Sequence, residues 1–163
     1  MKYVDLDASM TLPGGEVVDG VIDPSGYLER LPELADALPP GARAFATDPL
    51  HYDFLGPRCV KDLTLARISY GPDGADPSLE LAFRHSCFKH DEDLTITYQG
   101  VTSCVLDLAG MRGEVILDEI LPDPAGCAHE IAFRPGTIAV RCRDLAATWE
   151  TAECDRRRPP VRT

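Results

Sequence analysis

The sequence predicts a mainly β or α+β fold: an antiparallel curved sheet, β-sandwich or half-barrel, with one N-terminal helix packed on it. Three observations carry that expectation. Apolar and polar residues alternate with period two in about seven segments between residues 58 and 150. Short turns rich in Gly, Pro and Asp join the segments, and such connections are too short for parallel crossovers. One stretch alone, residues 25–38, repeats its apolar residues at helical spacing.

In chain order, Lys2–Asp7 reads as a short strand, and Val17, Val18, Val21 and Ile22 flank Asp19-Gly20 as a small hairpin or loop. Asp23-Pro24-Ser25 opens the helix, in which Tyr27, Leu28, Leu31, Leu34, Ala35 and Leu38 form the apolar stripe. Pro32 interrupts it, as a kink or a restart, because proline lacks the amide hydrogen and crowds the preceding turn. Pro39-Pro40-Gly41 is expected to stop the helix, with Ala42–Thr47 a short strand beyond it. From Leu63 the period is two, with a parity change near Arg67 that predicts a bulge. Leu79, Leu81 and Phe83, then Leu94, Ile96 and Tyr98, then Cys104, Leu106 and Leu108, occupy alternate positions of three further strands. Val115–Leu121 is apolar enough to be central. Ile131 and Phe133 precede a Pro135-Gly136 turn, and Ile138, Val140 and Cys142 follow it.

The 163 residues fit one globular domain, 1–154, with an irregular N-terminal part over 1–57 and an antiparallel β region over 58–150. The basic end, 155–163, is expected to be disordered. No apolar run exceeds three residues, which predicts neither a membrane span nor a secretory leader and points to the cytoplasm. Formal charge is -11 overall; residues 155–163 carry +3, so residues 1–154 carry -14. A body this acidic repels phosphate backbones and anionic membranes and favours a basic protein partner. Six cysteines without a CxxC pair predict reduced, mostly buried thiols rather than a disulfide framework. Thirteen Arg against three Lys, with abundant Ala, Pro and Asp, match a high-GC bacterial genome.

The densest polar cluster is Arg84–Asp93. If zinc binds, His85, Cys87 and His90 supply the ligand types it prefers, with Asp91 as the fourth or supporting group. The competing expectation is a buried neutral Cys87 and no metal, since Cys87 shares strand parity with Leu79, Leu81 and Phe83. A small-molecule site, in an enzyme or a carrier, would lie in the concave face of the sheet. It would be lined by His85 and His129, with His51 and Asp53 as a further pair ahead of the first strand of the β region. No G-x-S-x-G, Walker A, G-x-G-x-x-G or calcium loop occurs, so no cofactor is expected.

The stretch from His51-Tyr52-Asp53 through Leu79–Phe83 and Tyr98-Gln99-Gly100-Val101 to Gly136–Val140 resembles the immunity domains of bacterial polymorphic-toxin systems, in particular the immunity protein 50 group. The resemblance covers residues 50–145 and departs at Tyr98, where a Phe is expected, and in the additional N-terminal fifty residues. It implies a binder without catalysis, and the acidity of the body is compatible with capping a basic nuclease. The sequence therefore reads first as a non-enzymatic, immunity-like or accessory protein-binding domain.

Overall fold

The computed structural model describes residues 1–71, 76–110 and 113–154. The expected disordered tail at 155–163, and parts of the expected turns at 71–74 and 110–113, lie outside the described residues. Of the described residues, 49% are in strands and 12% in helices, so the fold is mainly β. Among the described residues, no helix is long and apolar enough to cross a membrane.

The elements run β1 (Asp5–Thr11), β2 (Val17–Asp23), α1 (Ser25–Leu28), α2 (Leu31–Ala37), α3 (Pro40–Ala46), β3 (Thr64–Tyr70), β4 (Ser78–Arg84), β5 (Glu92–Gln99), β6 (Ser103–Asp107), β7 (Val115–Asp123), β8 (Gly126–Phe133), β9 (Thr137–Cys142) and β10 (Asp144–Thr151). β1 and β2 pair only with each other; the other strands form two four-stranded antiparallel sheets, β10-β5-β4-β3 and β6-β9-β8-β7. Leu79, Leu81 and Phe83 of β4 and Leu94, Ile96 and Tyr98 of β5 are buried against Ile131, Ile138 and Val140 in one shared core. The layers meet at one corner, where Leu65 and Val115 donate amides to the carbonyls of Gly113 and Leu63. At Arg143 the chain crosses from β9 in one layer to β10 in the other. The result is a β-sandwich partly joined along its rim. The bulge falls between Leu65 and Arg67, where the β3–β4 register shifts.

The N-terminal part departs from expectation in its first strand, which runs Asp5–Thr11 rather than Lys2–Asp7, and in three further places. First, Asp19-Gly20 is no hairpin or loop but lies within β2, and the hairpin closes at the Pro13-Gly14-Gly15 turn that the residue types predict, between Leu12 and Glu16. Second, the helix at 25–38 is two helices: Pro32 sits in the first turn of α2, where its missing amide costs nothing, so it restarts the helix. Third, residues 42–46 are helical, not extended, and Thr47 caps the helix. Pro40 opens α3 and presets its φ. Asp144 of β10 then accepts the amides of Gly41 and Ala42 at 3.1 and 2.9 Å. That cap comes from 103 residues away, so no local pattern announces it. Ala42, Phe45 and Ala46 turn one face into the core. α3 packs on β10 and α2 on β7, so the helices bridge edge strands of both layers.

Candidate functional site

Val115–Leu121 carries two adjacent acids, Asp118 and Glu119, both buried. They point opposite ways, as neighbours in a strand must. Glu119 accepts the amides of Lys2, Tyr3 and Val4 at 2.7, 2.6 and 2.9 Å and so pins the N-terminal segment to β7. Asp118 points into the sandwich. Asp118 pairs across the ladder with Ile131, and Ile120 pairs with His129, so Asp118 and His129 are diagonal neighbours on the inner face.

There Asp118 joins all three parts of the fold. His129 Nε2 lies 2.9 Å from Asp118 Oδ2, and His51 Nε2, from the loop after α3, lies 2.7 Å from Oδ1. His51 Nδ1 is 2.8 Å from the Phe45 carbonyl at the end of α3. Tyr98 Oη, from the opposite layer, is 2.8 Å from His129 Nδ1. The Tyr52 hydroxyl donates to the Asp118 carbonyl at 3.1 Å, and its ring stacks on His51 with centroids 4.3 Å apart.

Hydrogen-bond chemistry fixes the protons. A carbonyl and a carboxylate only accept, so both nitrogens of His51 donate and the ring is an imidazolium. His129 donates from Nε2 to Asp118, and its Nδ1 is the one acceptor within reach of the buried Tyr98 hydroxyl. Burial works against charge at Asp118, but the two imidazoles outweigh it and hold the carboxyl well below its usual range. Burial likewise opposes the His51 charge, but Asp118 and the Phe45 carbonyl overcome it and raise the imidazole. Burial and the Asp118 charge together push the Tyr98 phenol well above its ordinary value, which keeps it a donor. Every buried side-chain nitrogen and oxygen among the described residues has a partner. The cavity that Asp118 shares with Val60, Leu63 and Phe83 has a volume of about 10 Å³, room for one water and no substrate. This is a closed polar clamp. It holds the layers and the helices in register.

The clamp contains two of the expected site residues, His51 and His129, and two that sequence reasoning passed over, Asp118 and Tyr98. An adjacent acid pair inside an otherwise apolar segment was the available signal for Asp118; that segment, expected to be central, is β7, an edge strand of its sheet that the helices cover. The expected partner of His51, Asp53, is instead exposed and accepts the Leu55 amide at 3.2 Å in a turn. His85 and His129 share no partner: His85 lies at the end of β4 with Nδ1 2.7 Å from Asp93 Oδ1.

The expected metal set is split as well. His90 is buried, receives the Ser86 amide at Nδ1 and donates from Nε2 to the Cys59 carbonyl at 2.7 Å. Both its nitrogens are therefore engaged, and burial lowers its pKa. Asp91 is exposed, and its carbonyl accepts the Ala152 amide. Cys87 is not a buried thiol: it is exposed beyond the end of β4, where the strand has turned away from the core, and it forms a disulfide with Cys154. Cys59, Cys104, Cys127 and Cys142 are free, and burial pushes the Cys59 thiol up to about 11.

The third feature is the β1–β2 arm. Nearly all of its residues are exposed or half-buried on both faces. Asp5, Asp7, Glu16, Asp19 and Asp23 give it five acids and no base. Met10, Val17 and Val18 are exposed near its tip, with Met10 opposite Val18 in the ladder. No family model, curated protein or solved structure matches this chain.

Proposed function

We propose that this protein is a non-enzymatic binding domain, immunity-like or accessory in role, that engages a basic protein partner in the cytoplasm. The observation that carries this reading is the β1–β2 arm. An isolated two-stranded ribbon is marginally stable in water. This one spends apolar side chains at its tip on solvent and concentrates five acids without a base. Neither choice serves the packing of the chain itself. Both serve an apolar contact ringed by negative charge, which complements a basic surface with an apolar centre. The same field disfavours nucleic acid and anionic membrane. The closed clamp supports a binder too, since its best-placed acid and histidines are committed to holding the fold.

A photo-cross-linking amino acid at Val17, compared with one at Tyr70, which is also exposed but lies on the sandwich, tests this in native cells. The expected adduct at Val17 is a basic protein, lost at high salt and weakened when Asp7, Glu16 and Asp19 are amidated to Asn, Gln and Asn. Identical adducts at both positions, or an acidic partner unaffected by salt, would overturn the reading.

A further inference from the structure

Where the chain leaves β4, four polar side chains converge: His85, Cys87, Asp93 and Cys154. The ligand atoms of His85, Cys87 and Cys154 all lie within 4.8 Å of one another. His85 Nε2 is 3.4 Å from Cys87 Sγ. Asp93 Oδ1 accepts both the backbone amide of His85 and its Nδ1, each at 2.7 Å. That second bond places the ring proton on Nδ1 and leaves the Nε2 lone pair aimed at the sulfur. A carboxylate behind a histidine in this way is the support found behind metal-binding imidazoles.

The surrounding frame delivers the third ligand. Lys89 and His90 both donate amides to the Ser86 carbonyl and close the turn after Cys87. His90 anchors that turn to Cys59. The Ala152 amide bonds the Asp91 carbonyl, which extends the β5–β10 pairing and brings Cys154 back over residues 85–87. Cys87 is exposed, and His85 and Cys154 are half-buried, so ions and small thiols reach all three.

We propose that His85, Cys87 and Cys154 form a redox-gated site for zinc, independent of the partner-binding surface. In the disulfide state the sulfurs offer no thiolate and the site is closed. A dithiol reductant opens it by exchange, becoming a disulfide itself and leaving two thiols. Zinc then binds both sulfurs and His85 Nε2, releases two protons, and keeps its fourth position for water. Tetrahedral zinc with bonds of about 2.3 Å to sulfur sets its two thiolates about 3.8 Å apart, close to the contact distance of two sulfurs freed from each other. Two thiolates and an imidazole are the donor set zinc selects over magnesium or calcium. A peroxide reverses the step: two electrons from the thiolates and two protons convert hydrogen peroxide to two waters, the disulfide re-forms, and zinc leaves. Disulfides of proteins in reducing compartments are mostly of this reversible kind.

Untagged protein, reduced under argon and titrated with cobalt(II) and then zinc(II), tests the site. The expected result is one cobalt per chain with thiolate-to-metal charge-transfer and tetrahedral d–d absorption, displaced by zinc, and no uptake by the oxidised protein. His85→Gln leaves the disulfide able to form but weakens zinc at least tenfold, and Asp93→Asn weakens it about ten- to a hundredfold. Peroxide added to the zinc form releases one zinc for every two thiols lost. If the reduced protein takes up no more cobalt than the Cys87→Ser/Cys154→Ser variant, with far-ultraviolet circular dichroism unchanged in both, the disulfide is only a clamp and the proposal fails. It fails equally if His85→Gln leaves the affinity unaltered.

Discussion

Two carboxylate–histidine pairs of the same length stand at opposite extremes of this molecule. His51 meets Asp118 at 2.7 Å with both side chains essentially inaccessible. His85 meets Asp93 at 2.7 Å where the Asp93 side chain is 43% exposed. The local chemistry is the same; the surroundings decide the role. In the core, the remaining nitrogen of His51 and the remaining oxygen of Asp118 must each find another protein partner, and each does: the Phe45 carbonyl and His129, whose own second nitrogen meets Tyr98. The pair thereby becomes part of the architecture. At the rim, water satisfies what the protein leaves over, so His85 Nε2 stays available to the adjacent sulfur. The lesson is that a histidine with a carboxylate behind it is no sign of reactivity until its other nitrogen is shown to be free.

The sharpest way to break this comparison is to remove the acid from each pair. Asp118→Asn leaves the buried His51 imidazolium without a counter-charge, and breaking a buried pair by removing one partner costs about 3–5 kcal/mol. Asp93→Asn, at a partly exposed pair, should cost about 1 kcal/mol or less. Urea denaturation of both variants measures the contrast. Equal losses would mean that burial does not separate the two pairs.

The next largest effect sharpens the description of the core clamp. Tyr98→Phe removes one oxygen from the opposite layer and leaves His129 Nδ1 buried without a donor. A buried acceptor stranded in this way costs about 1–3 kcal/mol. A loss within about 0.3 kcal/mol, the scatter expected for uncoupled sites, would mean that the clamp does not reach across the sandwich.

The third prediction uses pH. The folded His51 pKa is raised, so its contribution is complete below its unfolded value, 6.5, and is lost as pH rises through the folded value. Asp118 is lowered, so its contribution is complete above 3.8 and is lost as pH falls through its folded value. The clamp is therefore strongest between those two unfolded values. His90 has the opposite slope to His51: its lowered pKa favours folding above 6.5 and that gain is lost as pH falls. The test is consequently the stability difference between wild type and His51→Gln, from which His90 cancels. That difference should be largest between pH 4 and 6.5 and shrink as the solution becomes alkaline. A difference independent of pH would show that His51 is neutral in the fold.

Much of the β region was legible because period-two alternation is a local record of a two-sided strand. Leu79, Leu81 and Phe83, or Ile138, Val140 and Cys142, declare their buried face without reference to anything distant. The bulge near Arg67 was legible for the same reason, as a change of parity. α3 was not, because part of its stability lies in Asp144, a cap supplied by the far end of the chain. His51 and His129 stood out as residue types. The acid between them did not, since nothing in the sequence near His51 points to a partner 67 residues away. Asp53, two residues on, was the nearer choice and the wrong geometry. Cys87 was misjudged by carrying strand parity one turn too far: β4 ends at Arg84, and beyond it alternation no longer assigns a side to the core.

The smallest effect on stability belongs to the arm, and its smallness is what matters. Met10, Val17 and Val18 are at least 38% exposed, so changing all three to Thr removes little buried area. Thr is also β-branched and suits the extended backbone. Exposed substitutions of this kind usually shift stability by no more than about 0.5 kcal/mol each way. A residue of the sandwich behaves otherwise: Leu81→Ala should cost about 2–5 kcal/mol, because the side chain is fully buried and its loss leaves a cavity. Thermal unfolding of the triple-Thr variant and of Leu81→Ala, run side by side, measures the gap. The same triple variant should lose most of the Val18-side contact with the partner while its melting temperature stays near that of wild type. If the triple change instead lowers stability by an amount comparable to Leu81→Ala, the arm packs as part of the body. Its apolar tip would then be explained by the fold, and the case for a docking surface would fall with it.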